Sequence, residues 1–217
     1  MGRTGNGPEP RIAVIDYGIG NLRSAEKALL ARAGAARLTD DPGFIREAEA
    51  VVLPGVGAFG ACMNALRRAG MEDVVHEAVA SGRPFLGICV GMQMLFDGSE
   101  EDPSARGLGV IPGTIRWIPP GVKRPQMQWN RLNIRRDDDL FAGLSAEPWM
   151  YFVHSLHGVP DDPDVVVATC VYGGTINAAF RCGNVFATQF HPEKSGPDGL
   201  ALLGQFVIAA KRSWIRT

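Results

Sequence analysis

The sequence predicts an α/β fold: one domain on a central mixed, largely parallel sheet flanked by helices, with antiparallel strands in its second half. Three observations predict it. Short apolar runs alternate with amphipathic segments through the first half. The second half turns to consecutive strand-like runs, separated by clusters such as Asp161-Asp162-Pro163-Asp164 and Gly173-Gly174. No repeat or internal linker follows the Gly- and Pro-rich start, so 217 residues with 46% hydrophobic content can bury one core.

Residues 1–10 read as a flexible extension and 11–217 as the domain. Residues 11–16 (RIAVID) form a strand. A helix follows over 21–33, with Leu22, Ala25, Leu29 and Leu30 on its apolar side. Residues 37–39 are a weaker strand candidate and 49–53 a firm one. Helices are expected over 64–68 and 71–81, broken at Gly70, then a strand over 84–88 and a helix beginning over 90–96. Strands over 110–118, 131–135, 150–154, 165–172, 175–181 and 184–190 lack intervening helices, which points to antiparallel pairing. A helix over about 199–214 closes the chain.

The formal net charge of −1 provides no global field for nucleic acid or an anionic membrane, which favours a small-molecule substrate. The start lacks the apolar run of a signal peptide, and Asn6 stands where a myristoylation motif needs Ser or Thr. The longest apolar stretch, 200–210, is too short to span a bilayer. Cys62, Cys89, Cys170 and Cys182 show no CxxC spacing and no disulfide framework is expected; the cytoplasm is the default location.

Phe85-Leu86-Gly87-Ile88-Cys89-Val90-Gly91-Met92-Gln93 runs a buried strand into a helix with a cysteine at the turn. It is the G-x-S-x-G elbow with sulfur in place of oxygen, and Gly87 and Gly91 make the sharp turn sterically possible. Free cysteines are usually inert core residues. Here the helix start favours a thiolate, and the Val90 amide faces the position of a developing oxyanion. Gln93, four residues on, shares the Cys89 face and can reach a substrate. The other three cysteines read as structural.

A cysteine nucleophile needs a base and a group that holds the base's tautomer. His191-Pro192-Glu193 follows an apolar strand, and Pro192 keeps His191 extended, so imidazole and carboxylate are expected on one face. His154, His157, His191 and Glu193 are all possible metal ligands, but none matches HExxH or a Cys/His zinc spacing, and no metal is expected. His157 reads as a surface or supporting histidine; for His154 an ordinary hydrogen-bonded histidine stays open.

Gly55-Val56-Gly57-Ala58-Phe59-Gly60 is a literal G-x-G-x-x-G, but Pro54 intervenes after the strand and no acidic residue stands at the ribose-binding offset. Gly18-Ile19-Gly20 has Arg23 in place of the third glycine. No nucleotide cofactor is expected. Gly55 and Gly57 can instead frame a second oxyanion donor opposite Val90.

Together these windows resemble the triad-type (class I) glutamine amidotransferases, and among them most closely the glutaminase subunits of imidazole glycerol phosphate synthase. The resemblance runs from Arg11 to about Trp214. Its matching runs are Asp16-Tyr17-Gly18-Ile19-Gly20-Asn21, Leu53-Pro54-Gly55-Val56-Gly57-Ala58-Phe59, the Cys89 window, Gly107-Leu108-Gly109-Val110-Ile111-Pro112-Gly113 and Gln189-Phe190-His191-Pro192-Glu193-Lys194-Ser195. It implies a Cys89, His191, Glu193 triad that hydrolyses glutamine through a glutamyl thioester, with no cofactor. Val90 and Val56 amides would form the oxyanion hole, the latter after a peptide flip. Gln93 and His154-Ser155-Leu156 would hold the glutamine backbone charges. Ammonia would pass to a (βα)8-barrel cyclase subunit in histidine biosynthesis, in a heterodimer whose interface includes Asn21, Trp129 and Asn130. Trp129 can also be read as an ordinary aromatic. Gln128 stands where the family commonly has Gly, and Leu156 where it has Tyr. A glutaminase serving another synthase, such as one forming anthranilate or pyridoxal phosphate, and a non-catalytic partner-binding module are the alternatives.

Overall fold

The computed structural model describes residues 9–19, 23–33 and 35–214. The expected flexible extension, apart from Glu9 and Pro10, lies outside the described residues, as does Asn21. The chain runs β1 (Ile12–Ile15), α1 (Arg23–Ala33), β2 (Ala36–Thr39), α2 (Pro42–Glu47), β3 (Ala50–Gly55), α3 (Phe59–Arg68), α4 (Glu72–Ala80) and β4 (Phe85–Cys89). It continues through α5 (Val90–Gln93), β5 (Phe96–Ser99), β6 (Asp102–Arg106), β7 (Ile111–Trp117), β8 (Gln126–Arg131) and β9 (Asn133–Ile134). The last elements are β10 (Trp149–His154), β11 (Leu156–Pro160), β12 (Val166–Val171), β13 (Thr175–Cys182), β14 (Val185–Thr188) and α6 (Gly196–Trp214).

The main sheet has the order β2-β1-β3-β4-β14-β13-β12-β9. Its first five strands are parallel, and the remaining three join antiparallel. Every residue of β1, β3 and β4 is buried, because helices cover both faces of parallel strands and leave no polar side. Right-handed crossovers put α1 on one face and α2, α3 and α4 on the other, since the chain moves leftward from β1 to β2 and rightward thereafter. Accordingly α1 packs on α6, and α2 on α4. A four-stranded sheet, β11-β7-β5-β6, and a two-stranded ribbon of β8 and β10 complete the domain.

Several expectations change. The helix expected over 90–96 is a single turn. Beyond it, the carbonyls of Met94 and Leu95 accept from Leu108, Val110 and Ile111 N–H groups at 2.8–2.9 Å, so they are taken by another segment and the chain leaves as β5. The strand expected over 131–135 is split. Leu132 N donates to Pro148 O (2.8 Å), and residues on either side join different sheets. β14 is antiparallel to β13 but parallel to β4, so the second half is not wholly antiparallel. Leu30, placed on the apolar side of its helix, is 40% exposed, because the buried stripe follows Ala25 and Leu29 four residues apart. α2 was not anticipated, though Asp41 accepting from Gly43 N (2.9 Å) and Pro42 at the first turn are ordinary start signals.

His157, expected as a surface or supporting residue, is buried on β11, where its Nδ1 accepts from Asn177 N (3.3 Å). Burial, with Arg116 nearby, pushes its pKa down to about 4 from an ordinary 6.5. The folded chain therefore binds fewer protons than the unfolded one between those values, and stability must fall as pH drops through that window. Urea midpoints followed from neutral pH down to about 4 are expected to show this loss, up to roughly 3 kcal/mol from this residue, and His157→Gln is expected to remove that share while leaving the like contribution of buried His154.

Candidate active site

β4 ends where α5 begins, and Cys89 sits on that junction with φ 54° and ψ −113°. Among the described residues it is the one non-glycine with positive φ, a conformation that costs about 1–3 kcal/mol and survives where packing over-determines it. The packing is explicit. A Cβ at Gly91 would overlap the carbonyl oxygen of Leu53, and one at Gly87 would lie 3.0 Å from Met92 Cα. A Cβ at Gly55 would lie 2.6 Å from Gly91 N and 2.9 Å from Tyr17 Oη. β3 and the elbow therefore touch backbone to backbone.

Because β14 lies parallel beside β4, with Thr188 opposite Ile88, the chain emerges from β14 next to Cys89. His191 is extended, as expected, and donates its own N–H to Tyr151 O (3.0 Å). Glu193 does not share its face by strand alternation. It lies in a 3-10 turn over Pro192–Lys194, which curls the carboxylate back to His191 Nδ1 at 2.7 Å. The Nδ1–H donates to Glu193, so Nε2, buried and without a hydrogen-bond partner among the described residues, is left free at the cleft that Cys89 also lines. Burial disfavours the imidazolium, but interaction with Cys89 and Glu193 outweighs it and raises the His191 pKa. The arrangement can store a proton on the imidazole beside the sulfur.

A cleft of about 250 Å³, room for one amino-acid-sized molecule, is lined by Cys89, His191, Val56, Gly57, Val90, Gln93 and the 153–156 segment. A larger hollow of about 640 Å³ near Arg83, Asp138 and Arg181 lies at the start of β4, the end of that strand away from Cys89. At the first position of α5, Val90 N–H has no acceptor within the helix. A single turn carries little macrodipole, so the expected thiolate support reduces to local groups. In the parallel ladder, Val51 N donates to Pro84 O (3.0 Å), and alternation carried to the Gly55–Cys89 pair turns the Gly55 carbonyl toward Val90 N–H. Gly57, at φ 104°, supplies a backbone freedom other residues lack.

Gln93 lines the cleft, and its amide donates to Gln189 Oε1 (3.1 Å) and Leu156 O (3.4 Å). His154 has both ring nitrogens engaged, Nδ1 with Leu156 O (2.7 Å) and Nε2 with the Gln126 amide (2.9 Å), and burial lowers its pKa to about 4. The hydrogen-bonded reading of His154 holds. Ser155 and Leu156 line the cleft. Trp129 and Asn130 do not; they lie on β8, where Trp129 is 47% exposed and packs edge-on against Tyr151, and Asn130 donates to Val171 O (3.0 Å). Gln128 is exposed on the same strand. Two residues were missed. Glu101 lines the cleft while accepting from Phe59 N (2.7 Å), and Gln189 is wholly buried beside Cys89. Gln189 was findable, being a polar residue two before His191 at the end of an apolar strand; nothing marks Glu101. Burial raises the thiol pKa of Cys62, and that of Cys170 to about 12. Among the described residues no group of three or more His, Cys, Asp or Glu is placed to hold a metal ion.

Two glycines should separate packing from propensity. Gly91→Ala is expected to cost more than about 3 kcal/mol or prevent folding, whereas Gly204→Ala, in α6 with open space around it, should stabilise by roughly 0.5–1 kcal/mol; thermal and urea melts would measure both.

Comparison with known proteins agrees with this geometry. The glutamine amidotransferase class-I family matches residues 14–210. An imidazole glycerol phosphate synthase subunit HisH from Salinibacter ruber is 48% identical over 200 residues, covering 89% of this chain and 92% of the relative. One from Synechococcus elongatus is 44% identical over 212 residues, covering 96% and 97%. A crystal structure described as glutamine amidotransferase superposes with TM-score 0.72 at 23% identity, covering 92% of this chain and 98% of that one, a likeness of fold. The chain belongs to the class-I glutamine amidotransferases, in the branch of the HisH subunits of imidazole glycerol phosphate synthase.

Proposed function

We propose that this chain is the glutaminase subunit of an imidazole glycerol phosphate synthase, releasing ammonia from glutamine for a cyclase partner in histidine biosynthesis. The observation that carries the proposal is the meeting of Cys89 with the His191–Glu193 pair at one cleft. The Cys89 sulfur attacks the glutamine side-chain carbonyl, its proton resting on His191 Nε2, and a C–S bond forms as the carbonyl oxygen takes the negative charge. His191 then gives the proton to the leaving nitrogen, the C–N bond breaks, and ammonia departs from a glutamyl thioester. Water, deprotonated by the same imidazole, attacks the thioester; the C–S bond breaks and glutamate leaves. Glu193 keeps His191 in one tautomer and offsets its charge.

The oxyanion would be met by Val90 N–H and, once the peptide joining Gly55 to Val56 turns over, by Val56 N–H. The present direction of the Gly55 carbonyl supports a resting state in which that turn has not occurred. Gln93 and the backbone of Ser155 and Leu156 would hold the charged end of glutamine, with Glu101 available to its ammonium; His154 acts by fixing Leu156.

Free ammonia is mostly protonated at neutral pH and a poor nucleophile, so a chain that releases it needs a consumer close by. The names of the relatives, subunits of a synthase, support a heterodimer whose cyclase half completes the lyase reaction. The β8–β10 ribbon is the suggested docking face, with Met127 62%, Trp129 47% and Trp149 49% exposed; Asn130 lies beside them, and Asn21 falls outside the described residues. Among the described residues no helix is long and apolar enough to cross a membrane, in keeping with a cytoplasmic setting for a biosynthetic pair.

The test mixes purified chain with a barrel-type cyclase and its ribotide ligand and follows glutamate release. Activity is expected only with the partner's help, and Cys89→Ala should reduce it to background. Glutamate release unchanged in that variant overturns the proposal.

A further inference from the structure

Gln189 is wholly buried, a costly place for a primary amide unless both of its polar ends are matched. Its oxygen is: Gln93 Nε2 donates to it at 3.1 Å. Its Nε2 points the other way and donates to the Cys89 sulfur, at 3.8 Å. A neutral thiol is a weak acceptor, whereas a thiolate makes a charge-assisted bond about twice as strong as a neutral one. An amide hydrogen kept in the interior and aimed at sulfur is therefore well matched only when that sulfur is negative.

We propose that Gln189 is a catalytic residue in its own right, an N–H donor that holds the Cys89 thiolate from the side opposite bulk solvent and tunes its nucleophilicity. The inference rests on the reading of Cys89 as the nucleophile. Other groups that act on the sulfur are His191, which stabilises negative charge there, and Tyr17 and Cys62, which share its surroundings. Tyr17 and Cys62 donate to the carbonyls of Pro54 and Val56, whereas the Gln189 N–H is directed at the sulfur and does not titrate, so it supports the thiolate without competing with His191 for a proton. Through its oxygen it is also tied to Gln93, in the substrate cleft, and a ligand that moves the Gln93 amide would shift the donor on the sulfur. No covalent bond changes in this step; one N–H···S hydrogen bond is made or lost.

The experiment compares wild type with Gln189→Met, which keeps length and approximate volume but removes the donor. Cys89 alkylation by iodoacetamide, located by peptide mass, is followed across pH with urea melts run alongside. The expected result is alkylation about tenfold slower at neutral pH in the variant, converging with wild type in alkaline solution, and kcat falling more than KM rises. A purely structural role would move the melt and leave the pH dependence of alkylation unchanged, which overturns the proposal. Should the variant not fold, the Gln189 side-chain NH2 resonances of wild type and Cys89→Ser decide: protons downfield in wild type support the bond, and coincident ones overturn it. Alkylation is read without glutamine, so an intact Gln189 effect in a chain that never hydrolyses glutamine would sink the glutaminase reading and leave this one standing.

Discussion

The parallel pairing of β14 with β4 is the contact on which the rest of this molecule depends. Cys89 and His191 are about a hundred residues apart in the chain, and neither has a local reason to meet the other. The hairpin of β13 and β14 lays β14 in the sheet with its C-terminal end level with that of β4. From there the elbow turns one way and the His191 segment the other, and the cleft opens between them. In open parallel sheets the carboxyl ends of strands are where chain ends diverge, leaving a crevice that side chains from separate crossovers can line. Slip in that register would carry His191 along the strand by a residue spacing of about 3.3 Å and invert its side chain, which no rotamer could repair.

The parts of this fold legible in the sequence were those with burial on both sides. β1, β3 and β4 are apolar throughout because helices sit on either face, so composition alone announced them. The elbow was legible because its markers are local, two glycines and a cysteine within five residues, although the contact that requires Gly91 comes from Leu53 on β3. β8 was not, since QMQWNR is mostly exposed and shows no alternation; its pairing with β10, not its own residues, makes it a strand. β11 was missed for a related reason, lying just past a strand that was recognised and separated from it by Ser155 alone. The His191–Glu193 contact was anticipated by a mechanism different from the real one, extended alternation instead of a tight turn. Glu101 illustrates the remaining limit. Its place at the cleft is decided by β5 and β6 folding back over α3, which the local sequence does not encode.

The site also shows how polar groups are kept in a nearly dry interior. Gln93, Gln126, His154, Gln189 and His191 are all buried, and their hydrogen bonds interlock from the ribbon to the elbow. Such networks are rigid when complete and costly when one member is removed. Two nitrogens of the set, Gln126 Nε2 and His191 Nε2, are buried without a partner among the described residues, and the second is the atom that the proposed chemistry uses.

The backbone contact at Gly91 and Leu53 bears on how this site can diversify. With no volume to spare at positions 55, 87 and 91, the reacting frame is closed to gradual tinkering, since even a methyl group displaces main chain. Lineages carrying it must vary at the margins instead, where Gln128, Leu156 and the 100–101 turn present side chains to open space or to the cleft wall. New partners and new tempers of the same reaction would be acquired there, around an inheritance that has no smaller steps available to it.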